Sequence, residues 1–258
     1  MTPIKTTTTN TKTVFQKAPF RVLATLLLIQ GVMIGQVLLR PAAAQTGAAQ
    51  DCTKISAEPQ RIACWLKKAK AGDKALRGAY LPGVDLSNTN LSNTNLTNAH
   101  LEKANLTKVD LTKAEVTDAN LTGAVLSEAN LTGATIRATV LTNANLSKAN
   151  LSNSNLTGAN LSFAILSNAD LRQANLTKAY VGDANLTKAN LSFANLMNAD
   201  LRQSKLIGAD LRVANLTKVI LSRADLTGAD LRGADLTGAG LTNAKLTGIK
   251  KDEKTKGL

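Results

Sequence analysis

Large rings are almost missing from this sequence: one tryptophan, two tyrosines and four phenylalanines make up 3% of 258 residues. A core built around aromatic anchors is therefore excluded, and whatever is buried must be small and aliphatic. Histidine occurs once, at His100, so no pair of imidazoles is available for metal binding or proton relay. Cys52 and Cys64 are the only cysteines, too few for a four-thiolate zinc site. There is no glycine-rich phosphate loop, no cysteine beside a base, and the carboxylates are scattered. No catalytic, cofactor or metal constellation is present, and the chain reads as non-enzymatic.

Positive charge is abundant but unevenly placed. The net charge is +13, yet residues 76–250 hold 17 Lys and Arg against 13 Asp and Glu, which leaves only +4 there. Residues 1–50 carry +5 and residues 51–75 another +3. The basic balance thus belongs mostly to the first part of the chain, and no nucleic-acid partner is expected.

Residues 1–21 carry Lys5, Lys12, Lys17 and Arg21 with no acid, an apolar run follows at 22–39, and Arg40-Pro41-Ala42-Ala43-Ala44 comes next. A cationic region, an apolar region and an A-x-A site predict a secretory signal over 1–44, cleaved after Ala44. The apolar run also approaches the ~18 residues of a spanning helix, so an uncleaved membrane anchor is the alternative. Gln30, Gly31, Gly35 and Gln36 weaken it as a permanent span. Either fate puts the rest of the chain outside the cytoplasm, and membrane contact follows only from the second. The residues before Cys52 lack the pattern of a lipid-attachment site.

In an exported chain two cysteines at short range favour a disulfide between Cys52 and Cys64 over a metal half-site, with two free thiols as the alternative. The surrounding stretch, 45–75, predicts a capping helix that begins near Glu58-Pro59 and ends at Gly72. Ile62, Trp65, Leu66 and Ala69 fall on one stripe, while Lys67, Lys68, Lys70 and Lys74 lie off it. The lysines read as a solvated helix face or as a contact with an anionic membrane surface.

From residue 76 to residue 246 a branched aliphatic residue occupies every fifth position, for about 35 pentads, and only Val116, Ile136 and Val181 replace leucine. A small residue, usually alanine, stands two places before each. A period of five fits neither a helix nor a long strand. The two apolar positions do share one side of an extended segment, and the Asn, Asp, Thr, Ser, Gly and Lys between them favour turns. Each pentad is therefore a very short strand plus a corner, and coils must stack to bury the leucines.

Ala-Asn-Leu-Thr-Lys at 174–178, Ala-Asp-Leu-Thr-Gly at 224–228 and Ala-Asp-Leu-Arg-Gly at 229–233 resemble the A-(D/N)-L-x-x motif of pentapeptide-repeat proteins. The resemblance covers about two thirds of the chain. It implies an all-β solenoid over 76–250, a right-handed quadrilateral β-helix of four pentads per coil with a short N-terminal α-helical cap. Nearly nine coils at ~4.8 Å would make a rod about 40 Å long. A leader followed by two cysteines resembles exported cyanobacterial members of the family, which implies the periplasm or the thylakoid lumen.

With four pentads per coil, residues twenty apart share a face. Tyr80, His100, Val140, Tyr180 and Ile220 then fall on one side, with Phe163 close by, where most pentads carry Asn or Asp. They form a candidate interaction face or, alternatively, drift at tolerant outward sites. Asp170 with Arg172, Asp210 with Arg212 and Asp230 with Arg232 form a candidate charge ladder on another side, either an anion site or self-compensating pairs. Residues 161–176 closely resemble 191–206, an offset of one and a half coils. A segment was thus duplicated onto the opposite side of the rod and tolerated there as scaffold. Residues 251–258 form a polar tail whose lysines discourage end-to-end pairing.

Two functions follow. One is an exported structural or protein-binding scaffold, monomeric or weakly self-associating, with an unidentified protein partner. The other comes from the resemblance to family members that imitate DNA and bind type II topoisomerases. Imitation of a duplex needs dense negative charge, which +4 does not supply.

Overall fold

The structure, a computed structural model, describes residues 50–258; the leader predicted over 1–44, whether signal or anchor, lies outside the described residues. The described chain opens with a short 3-10 turn, Cys52–Lys54, in which the Asp51 carboxylate accepts the Thr53 amide. It continues into helix α1, Glu58–Lys70. Pro59 sits in the first turn, where its missing N–H has no role. The exit is a Schellman turn: Gly72, at φ +78°, donates to the Ala69 carbonyl, and the Asp73 amide reaches back to Lys68.

The expected stripe of α1 faces the repeats. Trp65 and Ala69 are buried, and Ile62 and Leu66 pack half-buried against the same core. Lys68 lays its ammonium 5.4 Å from the Trp65 ring centroid and is not wholly turned to solvent. Cys52 and Cys64 are bonded, with Cα atoms 5.7 Å apart, so the 3-10 turn is tied to the middle of α1. Closing a loop of this length contributes about 3 kcal/mol in the chain-entropy account.

Beyond the helix every β contact is an isolated parallel bridge, between residues twenty apart from Ala75 with Asn95 through to Asp230 with Lys250, and twenty-one apart at the last, Asp235 with Lys256. No strand longer than a single bridge occurs among the described residues, yet the bridges stack into four continuous columns, a β-helical repeat fold. The leucines of the period and the alanines two places before them point inward and are buried from Leu76 to Leu236. Each bridge is held from both sides: the Leu161 amide donates to the Tyr180 carbonyl at 2.6 Å, and the Tyr180 amide to Ala159 at 2.9 Å.

The corners explain the motif. The alanine amide closes a turn onto the preceding leucine carbonyl, as in Ala164 to Leu161 at 3.0 Å, and the residue before that alanine has positive φ. A positive φ at the second central position is the signature of a type II turn. Asn, Lys and Gly are common there, but Phe163, Phe193 and Val213 adopt the same φ near +60°. Where Asn or Asp precedes the leucine it accepts the amide two residues on, and a threonine at that place closes the ring, as in Asn175 with Thr177 at 3.0 and 2.6 Å.

Where alanine is replaced inside, the substitute needs a partner. Thr139 donates its hydroxyl to Val116, Ser154 to Leu151 and Ser204 to Leu201. The buried Thr94 hydroxyl has none. At the far end the core opens, and Leu241, Ala244, Leu246 and Ile249 are only half-buried. Residues 251–258 dock there: Thr255 donates to the Leu231 carbonyl and Lys256 bridges Asp235. Gly257 permits this approach, because a side chain would meet the Leu236 carbonyl oxygen at 2.4 Å.

Leu161→Ala, in the middle of the stack, is expected to lower stability by about 2–5 kcal/mol in denaturant titrations. Thr94→Val is expected to raise the melting temperature, by about 1 kcal/mol of stability, because it removes a buried unpaired hydroxyl. Thr139→Val should lower it, since that hydroxyl is bonded.

Candidate functional site

The bridge columns place Tyr80, His100, Val140, Tyr180 and Ile220 on one side of the rod, interleaved with Asn120, Asn160 and Asp200. They do not form one stripe. At the helical end Tyr80 is half-buried beneath α1: the Arg61 guanidinium lies 4.5 Å from its ring centroid and its hydroxyl donates to Glu58 at 3.2 Å. The His100 ring packs 5.6 Å from that of Tyr80 and meets the Glu102 carboxylate at 3.3 Å. Tyr80 thus joins the cap to the first coil. Val140, farther along, is half-buried.

A second group gathers toward the other end. Phe163, Tyr180 and Ile220 are 56%, 57% and 41% exposed. Phe163 belongs to the corner beside this side, and its positive φ turns the ring outward. Between Phe163, Tyr180 and the coils that follow lies a hollow of about 550 Å³, floored at Gly182 and rimmed by Asp183, Arg202 and Arg223. The exposed hydrophobic residues Val125 and Ile165 stand on the adjoining side. A smaller hollow, about 360 Å³, lies beside Cys64 and Lys67.

The three predicted Asp–Arg pairs form, at 2.7 Å for Asp170 and 2.6 Å for Asp210 and Asp230. A fourth, Asp200 with Arg202 at 2.5 Å, stands in the hollow on the first side. It is the duplicate of Asp170 and Arg172 at the thirty-residue offset, so the sequence contained the means of finding it. In each pair the aspartate also accepts its arginine's backbone amide, and Nε and Nη2 of the guanidinium are spent on the carboxylate. The ladder is therefore internally compensated. Among the described residues no group of three or more His, Cys, Asp or Glu is placed to hold a metal.

Hydrogen bonds from the neighbouring arginine hold the carboxyls of Asp200, Asp210 and Asp230 below the ordinary range, against the opposing effect of partial burial. At Asp170 burial is the largest influence and pushes upward, but the bonds from Arg172 outweigh it. A lowered native pKa adds stability above the unfolded value of about 3.9 and loses it as pH falls through the native one. The melting temperature should be flat near neutrality and fall below pH ~4. Replacing these four aspartates by asparagine, which keeps the backbone cap, should make that fall shallower.

Comparison with known proteins fits this geometry. The family model described as "Pentapeptide repeats" matches in eight copies, over residues 75–112, 119–158, 154–192, 194–233 and 221–250. HetL of the cyanobacterium Nostoc sp. strain PCC 7120, a pentapeptide repeat protein involved in heterocyst differentiation regulation, is 39% identical over 68% of this chain and 82% of its own, with a TM-score of 0.42. A trypsin-treated form of QnrB1, a plasmid-mediated fluoroquinolone resistance protein, is 23% identical over 67% of this chain and 89% of its own. Its TM-score of 0.51 reflects a shared β-helical fold. A pentapeptide repeat protein of the Arabidopsis thaliana thylakoid lumen is 27% identical over 39% of this chain and 66% of its own, with a TM-score of 0.32. No curated protein matches the chain. With the motif repeated along residues 75–250 and the coils stacked at a twenty-residue interval, the chain belongs to the pentapeptide-repeat family.

Proposed function

We propose that this chain is a non-enzymatic scaffold, exported to the periplasm or the thylakoid lumen, that binds a protein partner through the edge bearing Phe163, Tyr180 and Ile220. In this reading residues 1–44 direct export and residues 45–75 cap the rod. Residues 76–250 form the rod itself, a right-handed quadrilateral β-helix, and residues 251–258 close its far end.

The observation that carries the proposal is a pair of exposed rings, Phe163 and Tyr180, lining one hollow, with Ile220 exposed farther along the same side. The core needs none of these exposed groups, since inward residues, mostly leucine and alanine, fill it. Apolar groups that add nothing to the fold and stand together are available for contact. A solenoid also offers long, rigid, regular sides, which suits recognition of another protein. The self-compensated Asp–Arg pairs and the +4 balance of the repeats speak against imitation of DNA.

Photo-crosslinking in the native cell tests the proposal, with benzoylphenylalanine placed at position 180 and, as a control, at position 175 on another side. A discrete protein adduct from position 180 alone, in the exported fraction and on a chain lacking its first 44 residues, is the expected outcome. Equal labelling from both positions, or adducts only in the cytosol, would contradict it.

A further inference from the structure

We infer that Gly182 opens a peptide-binding hollow in which an extended segment is read by its chemistry: an apolar side chain between Phe163 and Tyr180, a basic one at Asp183 and an acidic one at Arg223. The inference rests on the protein-binding function proposed above and names what the partner presents.

Gly182 occupies the first corner position after Val181, and the same position carries a side chain in every other pentad, most often Thr or Ser. Nothing in the backbone asks for glycine there. Its φ is not in the positive range, and an added Cβ would meet only the Arg202 carbonyl oxygen, at an ordinary 3.5 Å. The glycines at the second corner position, such as Gly158 and Gly208, do serve a positive φ. Gly182 is therefore set apart by the space it leaves, which is the floor of the 550 Å³ hollow. That volume lies within the range of about 300–1,000 Å³ usual for ligand sites.

The molecule contains its own control. The duplicated segment puts Phe193 on the opposite edge, with the same positive φ and 59% exposed. Phe163 donates its amide to the Gly182 carbonyl, and Phe193 donates to that of Arg212 in the same way. Thirty residues on, the places of Tyr180 and Gly182 are taken by Asp210 and Arg212, which pair with each other. One backbone thus occurs twice, once with glycine at this corner and once with arginine.

The polar chemistry follows the rod axis. Phe163, Asp183, Gln203 and Arg223 are one coil apart in a single corner column. Gln203 donates to the Asp183 carboxylate at 2.9 Å and orients it. Arg202 is neutralised by Asp200, but neither Asp183 nor Arg223 enters an ion pair among the described residues. Asp183, which also acts on the nearby Arg202 guanidinium, and Arg223 are opposite in sign and two coils or about 10 Å apart, which matches basic and acidic side chains roughly three residues apart on an extended chain. The order is apolar, basic, acidic, read from Phe163 toward Arg223.

Selection of a phage-displayed library of random dodecapeptides on the purified full chain tests this. Enrichment of peptides with an aromatic or aliphatic residue, then Lys or Arg, then Asp or Glu, in either chain direction, is the expected result. Synthetic peptides of that pattern should bind Gly182→Thr about tenfold more weakly, and Arg223→Gln should abolish the preference for the acidic residue. Phe193→Asn should leave binding unchanged. Gly182→Thr introduces the side chain common at this position, so its melting curve should match that of the parent. No enrichment, enrichment of peptides without the charged pair, or equal affinity for Gly182→Thr would overturn the inference. A crosslinked protein partner mapped to another part of the Phe163 edge, with no peptide selected, would retain the scaffold function and reject the hollow as its reader.

Discussion

Stacking of coils at the spacing of backbone hydrogen bonds, about 4.8 Å, is the constraint on which everything else depends. At that distance each inward side chain touches its counterparts above and below, so the interior must be filled by the same shapes in every coil. Leucine with alanine meets this condition and a ring does not. Burial of each leucine contributes roughly 1.5–3 kcal/mol before entropy is subtracted, and the contribution is shared only between neighbouring coils. The four turns of each coil are fixed by the same stacking. Phe163, Phe193 and Val213 therefore accept a positive φ that such side chains ordinarily avoid.

A structure of this kind is continuous along its axis and has a problem only at its ends, where apolar surface and unpaired backbone would face water. The two ends are treated differently. At the start α1 buries Trp65 over the first coil, the disulfide ties the preceding turn to the helix, and Arg61, Glu58 and Tyr80 lock the helix to the repeat. At the finish a few polar residues lie across a partly open core, held by Thr255, Lys256 and the close approach of Gly257.

Because the core is satisfied by inward residues alone, the outward positions are free to vary in chemistry without cost to the fold. Most are spent on corner bonding by Asn, Asp and Thr. The duplicated segment illustrates that freedom: on one edge Phe193 adjoins an Asp–Arg pair, and on the other Phe163 borders open space. The same backbone carries both.

The period of five, the inward leucine and alanine, the limits of α1 near Pro59 and Gly72, and the pairing of Cys52 with Cys64 were all legible in the residues. Each depends on local pattern or on partners close in sequence. The common side of Tyr80, His100, Val140, Tyr180 and Ile220 was legible too, since it needs only the count of pentads per coil. What the sequence could not express was how those positions meet other parts of the chain. Tyr80 is taken up by Glu58 and Arg61, 22 and 19 residues away, because the helix folds back over the first coil. The hollow at Gly182 exists because side chains from successive coils surround a missing one, a relation between residues twenty apart. Sequence alone determined the repeating unit through its periodic chemistry, and tertiary stacking decided which outward residues become neighbours, because adjacency across coils is set by the pitch of the rod.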